Sequence, residues 1–138
     1  MHVRELMTED PVTVAGGARV VDAIVLLFTR GFRHLPVLND EGELLGMVTD
    51  RDLREFSHHM QLADDRADAV KLVTQPVGDL VRRKPVVVYA DDTVHTAVAT
   101  LVREKLSGLP VIERGSGELV GILTSQDVLQ HVVDAGLL

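Results

Sequence analysis

The chain has 138 residues, 46% of them hydrophobic, about one ordinary domain's length with enough apolar material to close a core. It has no cysteine, which excludes disulfide frameworks, Cys-x-x-Cys zinc clusters and thiol nucleophiles. Against 21 acidic residues there are 14 basic ones, a formal net charge of −7 that repels a phosphate backbone; with three Phe and one Tyr for stacking, nucleic acid is not an expected partner.

From the N-terminus, "MHVRELMTED" carries acids where a signal peptide needs an apolar run, and the apolar stretch "VVDAIVLLF" is broken by Asp22. No membrane insertion or secretion is expected, and a cytoplasmic location is. "PVTV" (11–14) reads as a short strand. Val20, Ala23, Ile24, Leu27 and Phe28 fall at i, i+3, i+4, i+7 and i+8, which predicts one apolar helix face. "LPVL" (35–38) reads as a strand whose proline suits an edge or a strand start. The Gly-containing turn "NDEG" leads into a second strand, "ELLGMVT" (43–49), giving an antiparallel hairpin. A helix follows Thr49, with Leu53 and Phe56 on its apolar side. Residues 58–75 contain no Gly or Pro and predict a helical connector.

The same order then recurs. With a shift of 74, "VRELMTEDPVTV" (3–14) meets "VGDLVRRKPVVV" (77–88), and "RHLPVL" (33–38) meets "SGLPVI" (107–112). After one inserted residue, "GELLGMVTDRDL" (42–53) meets "GELVGILTSQDV" (117–128). Val94, Ala97, Val98, Leu101 and Val102 repeat the helical spacing. Agreement spread over about 50 positions indicates duplication of one structural unit. The predicted class is α/β (α+β), a pseudo-twofold pair divided near Thr74: 1–74 with the connector, then 75–138.

The doubled Gly-x-x-Thr-x-x-Asp has a plain structural explanation. A Thr at a helix N-cap accepts from the N3 amide, and an acid at N3 reaches back to the cap near the positive end of the helix dipole. Thr49 with Asp52, and Thr124 with Asp127, fit this. It does not require Gly46 or Gly121. The functional alternative uses the same geometry: a helix N-terminus offers free amides, a hydroxyl and a carboxylate beside backbone made approachable by glycine. A carboxylate there suits the vicinal hydroxyls of a ribose, and the amides and hydroxyl suit phosphate oxygens.

On "LMTEDPVTV", "RHLPVLNDEGELLGMVTDRDL" and "LPVIERGSGELVGILTSQDVL", the chain resembles tandem cystathionine beta-synthase (CBS) domains, the pair called a Bateman module. The resemblance covers almost the whole chain. It implies two beta-alpha-beta-beta-alpha units packed through their sheets, with two clefts that in many relatives bind adenosine-containing ligands. By position, Asp52 and Asp127 would hold ribose hydroxyls, and Thr49 and Thr124 would touch ribose or phosphate. Strands around Val14, Val88, Pro36 and Pro110 would sandwich adenine. Arg33, His34 and Arg51 supply cations in the first copy, where the second has Ser107, Gly108 and Gln126. The first site is therefore expected to take a phosphorylated nucleotide, and the second a less charged adenosine ligand such as S-adenosylmethionine, or none. His34 reads equally as a strand-end histidine.

No Ser/His/Asp order, Gly-rich phosphate loop or paired acid appears, so no enzyme and no catalytic cofactor is expected. His58 and His59, near Asp64 and Asp65, point about 100 degrees apart on a helix and read as a solvated face rather than a metal or hydrolase site. Val21 and Val25 widen the first helix's apolar stripe where the second copy has His95 and Ala99. The extra width fits either a thicker core or an interface, and the resemblance implies a homodimer. Because the two repeats use almost every residue, the regulated effector is expected in trans, unless the chain is a fragment. The competing reading is a structural dimerisation or interaction module with unoccupied sites.

Overall fold

The computed structural model describes every residue except Arg82. In chain order the elements are α1 (Val3–Leu6), β1 (Thr8–Glu9), β2 (Val14–Ala15), α2 (Val20–Arg30), β3 (His34–Leu38), β4 (Leu44–Thr49), α3 (Asp50–Gln61) and α4 (Arg66–Thr74). A 3-10 turn (Val77–Leu80) precedes β5 (Val88–Tyr89), α5 (Val94–Glu104), β6 (Gly108–Ile112), β7 (Leu119–Thr124) and α6 (Ser125–Asp134). They form two units: Val12–Pro85, and Met1–Pro11 together with Val86–Leu138.

In the first unit the sheet order is β2-β3-β4, with β2 parallel and β4 antiparallel to β3. The hairpin closes at Gly42, whose φ of +81° favours glycine, while Asn39 Oδ1 accepts from the Glu41 and Glu43 amides at 3.0 and 2.8 Å. The spacing predicted for α2 holds at Val20, Ala23 and Leu27, which are buried with Leu35, Val37 and Val48. The second unit repeats this plan and adds one strand, giving β1-β7-β6-β5. Its core holds Ala97, Leu101, Leu109, Val111 and Leu123.

The segment leading into each copy packs on the other copy. Val77 has no exposed surface and lies in the core of the first unit, and Val3, its counterpart, lies equally buried in the second. The backbone bonds match in pairs: Val77 N donates to Ala18 O at 2.7 Å, as Val3 N does to Asp92 O at 2.8 Å. Gly78 N donates to Gly16 O at 2.9 Å, as Arg4 N does to Ala90 O at 3.0 Å. The chain therefore passes from one unit to the other at Pro11/Val12 and Pro85/Val86 rather than at Thr74. The division at Thr74 follows the repeat in sequence; burial of Val3 and Val77 decides the packing.

This exchange accounts for the two strand glycines. A Cβ on Gly121 would lie 2.6 Å from Met7 Sδ and 2.8 Å from the Thr8 carbonyl oxygen, and one on Gly46 would run into Val81 Cγ1. What approaches the backbone at both positions is the chain's own leading segment, not a ligand.

Other expectations are corrected. The strands begin later than Val12 and Val86, at Val14 and Val88, because only two residues of each pair with the neighbouring strand. Pro36 is neither at an edge nor at a strand start. It is the third residue of the middle strand, opposite Met47, and is tolerated because β2 pairs only with Val37 and Leu38. Phe28 and Val102, assigned to the apolar helix faces, are 80% and 73% exposed. Val25 is also exposed, so the wide stripe on α2 is not a thicker core. The connector is interrupted after Leu62, and Asp65 caps α4 by accepting from Asp68 N at 2.9 Å.

The second unit carries ion pairs that the first lacks among the described residues. Arg4 meets Glu113 at 2.7 Å; Arg114 meets Asp91 and Asp92 and lies 4.1 Å from the Tyr89 ring centroid. Hydrogen bonds to Glu113 and Asp91 raise the pKa of Arg4 and Arg114 respectively. The corresponding first-copy residues are Ala15, Gly17, Ala18 and Asp40. These pairs are exposed and contribute little to stability.

Gly121→Ala is expected to destabilise the protein by about 1–3 kcal/mol in chemical denaturation, because a backbone oxygen and Met7 must move. Gly115→Ala, with no atom within 4 Å of its Cβ, is the control and should stay within about 0.5 kcal/mol of the parent. Equal stabilities would refute the close-approach explanation.

Candidate functional site

Each unit ends its hairpin at a helix N-terminus. β4 delivers Thr49 in extended conformation (φ −109°, ψ 165°) as the N-cap of α3, and β7 delivers Thr124 (φ −113°, ψ 160°) as the N-cap of α6. Asp52 N donates to Thr49 Oγ1 at 3.2 Å, and Asp52 Oδ2 accepts from Thr49 N at 2.9 Å and from Thr49 Oγ1 at 3.1 Å. In the second unit Asp127 N donates to Thr124 Oγ1 at 3.1 Å and Thr124 N to Asp127 Oδ2 at 2.9 Å. Both motifs are complete capping boxes. The four side chains are half-buried.

The boxes leave one carboxylate oxygen pointing away from the cap in each unit. Among the described residues, Asp52 Oδ1 has no hydrogen-bond partner. Asp127 Oδ1 has one, the Thr8 hydroxyl at 3.5 Å. Thr8 was missed in the sequence because its counterpart under the repeat is Arg82, a different residue type, so it falls outside the shared motif.

The cations gather at the same end of the first sheet. His34 pairs with Thr49 across the ladder, and Arg33 O accepts from Asp50 N at 3.0 Å, as Ser107 O does from Ser125 N at 2.9 Å. Arg33 is exposed and His34 half-buried; Arg51 is exposed and 3.6 Å from Glu55. Free first-turn amides were expected for phosphate oxygens, and in the first unit they are taken. Asp50 N serves Arg33 O, Arg51 N donates to Asp50 Oδ1 at 2.9 Å, and Asp52 N serves Thr49. The Asp50 carboxylate adds negative charge in this first turn and lies 3.5 Å from the Arg54 guanidinium.

Val14, Val88, Pro36 and Pro110 are buried, the two valines within the hydrophobic cores. Among the described residues no three His, Cys, Asp or Glu side chains are grouped to hold a metal ion, and His58 and His59 are exposed on α3. Among those residues, too, no helix is long and apolar enough to cross a membrane.

The family model of the CBS domain matches residues 3–59 and again residues 77–134. The chain belongs to the CBS domain family. Its two matches are the two copies of the repeat. Among solved CBS structures, CBSX2 in complex with AMP is 29% identical with a TM-score of 0.80, the alignment covering 98% of either chain. The CBS domain pair of protein MJ0100, in complex with methylthioadenosine and S-adenosyl-L-methionine, shares the fold at 19% identity and the same TM-score of 0.80, also over 98% of both chains. A CBS domain-containing protein of Dictyostelium discoideum is 28% identical over 95% of this chain and 90% of its own length. A homoserine O-acetyltransferase of Methanococcoides burtonii is 29% identical over 91% of this chain, which spans only 23% of that relative's length.

Thr49→Ala and Thr124→Ala should each lower stability by about 1 kcal/mol through loss of the cap, and the Ser variants should retain it. Denaturant midpoints test this; Ala variants as stable as the parent would show that the boxes do not hold these helices.

Proposed function

We propose that this CBS pair is a regulatory module that senses adenosine-containing ligands, AMP, ADP or ATP or S-adenosylmethionine, at the two strand-to-helix junctions. The observation that carries this reading is the Asp52 carboxylate. One oxygen is fixed by the cap while the other, half-buried and without a partner among the described residues, stands ready to accept a ribose hydroxyl. Thr49 lies beside it for ribose or phosphate, and the AMP complex of CBSX2 supports the ligand class. Val14, Pro36 and their counterparts Val88 and Pro110 would flank adenine through backbone, since their side chains are buried.

The sites differ in charge. Arg33, His34 and Arg51 suit a phosphorylated nucleotide at Asp52, whereas Ser107, Gly108 and Gln126 suit a less charged adenosine ligand at Asp127. The second unit holds four basic and ten acidic residues against ten and eleven in the first, which further disfavours phosphate there. The ligand acts by binding two arrangements of the module or dimer unequally, since equal affinity shifts nothing, and the change is read by an effector protein.

The exposed apolar faces of α2 (Val25, Phe28), α5 (Val102) and α6 (Leu129, Val133) support a homodimer. Complete capping boxes also suit the second reading, a structural interaction module that binds no ligand.

Calorimetry with AMP, ATP and S-adenosylmethionine separates the two readings. AMP is expected to bind, and Asp52→Ala to lose that binding; at about 100 times the dissociation constant AMP should add roughly 2.7 kcal/mol to stability. No binding of any of the three at millimolar concentration, or AMP binding that Asp52→Ala leaves unchanged, would sink the sensing reading. By sedimentation velocity the parent should be a dimer and Phe28→Glu a monomer; a monomeric parent would dismiss the dimer.

A further inference from the structure

We infer that Thr8 is the latch through which the second site holds the N-terminal segment: the carboxylate of Asp127 caps α6 with one oxygen and fastens residues 2–9 to the second unit with the other. Asp127 Oδ2 is committed to Thr124 N at 2.9 Å, and Oδ1 accepts from the Thr8 hydroxyl at 3.5 Å. The arrangement places them together because β1 pairs antiparallel with β7 in the register Thr8↔Ile122, two residues before Thr124. Gly121 lets this pairing close, with Met7 and the Thr8 carbonyl occupying the space of its missing side chain.

Elsewhere the segment is held by the β1–β7 pairing at Thr8 and Glu9 and by contacts upstream of them. Val3 is buried in the core, Val3 N and Arg4 N donate to Asp92 O and Ala90 O, and Arg4 pairs with Glu113. The contact between Thr8 and Asp127 is the link from this segment to a site residue. A carboxylate oxygen has two lone pairs, so Oδ1 accepts from Thr8 and from a ligand hydroxyl together, and the Thr8 oxygen keeps acceptor capacity for that hydroxyl. Ligand at Asp127 therefore tightens the segment. This ligand half of the inference rests on the proposed nucleotide-sensing reading; the latch itself does not.

Hydrogen exchange by mass spectrometry on the full chain tests both halves, comparing the parent with Thr8→Val and Thr8→Ser. Without ligand, Thr8→Val should speed exchange in residues 2–9 roughly three- to tenfold, the scale of one hydrogen bond, and leave residues 77–81 unchanged. Thr8→Ser should behave as the parent. Valine favours strands at least as well as threonine, so a purely structural role for β1 predicts equal or slower exchange, and that result would overturn the latch. With AMP or S-adenosylmethionine added, exchange in residues 2–9 should slow in the parent and not in Thr8→Val. A ligand whose binding is lost in Asp127→Ala, yet which leaves residues 2–9 unchanged, would overturn the coupling. If neither ligand binds, the sensing reading of this site fails, and the ligand-free comparison still decides the latch.

Discussion

The reciprocal hydrogen bonds between a Thr at the end of a strand and an Asp one turn into the following helix are the constraint on which each unit's strand-to-helix junction, and the site proposed there, depends. A carboxylate on a flexible surface would lose side-chain entropy on meeting a ligand. Here that cost is already met in folding, because Thr49 N holds Asp52 Oδ2 at 2.9 Å and Thr124 N holds Asp127 Oδ2 at 2.9 Å. The cap and the proposed ribose contact are therefore two uses of one side chain. The first satisfies helix amides and fixes the rotamer, and the second employs the oxygen left over.

The exchange of leading segments gives this local device its setting. Each strand that ends in Thr carries a glycine three residues earlier, and over that glycine runs the segment from the other copy: Val81 at Gly46, Met7 and Thr8 at Gly121. Neither copy of the repeat closes its core from its own residues, since Val3 and Val77 are each buried among residues of the opposite copy.

The helices and the capping boxes were readable in the sequence because their causes are local. Spacing of i, i+3 and i+4 creates an apolar face, and Thr-x-x-Asp after a strand satisfies a helix N-terminus. What covers a face is not local, and so Phe28 and Val102 belong by spacing to the apolar faces although they are solvent-exposed. The repeat also hid the exchange. Aligning residues 3–14 with 77–88 shows that they are alike, but a like-with-like comparison carries no information about which copy each one packs against. The glycines were misread for the same reason: their approachable backbone was assigned to a ligand, whereas a neighbour distant in sequence fills the space. Thr8 beside Asp127 could not be found from a motif whose two copies differ at that position.

Duplication set up two similar strand-to-helix junctions, and the residues around them have diverged. The first combines an open carboxylate oxygen with exposed guanidinium groups; the second has a carboxylate already engaged by Thr8, in a unit of four basic and ten acidic residues. The account stands on the claim that the strand-to-helix junctions receive the ligand. Backbone amide chemical shifts in a titration of the labelled full chain with AMP test it most directly. The account predicts that the largest changes fall on residues 49–53 first and on residues 124–128 only at higher concentration. Saturating AMP that leaves both stretches unshifted, or moves only residues remote from them, would contradict it.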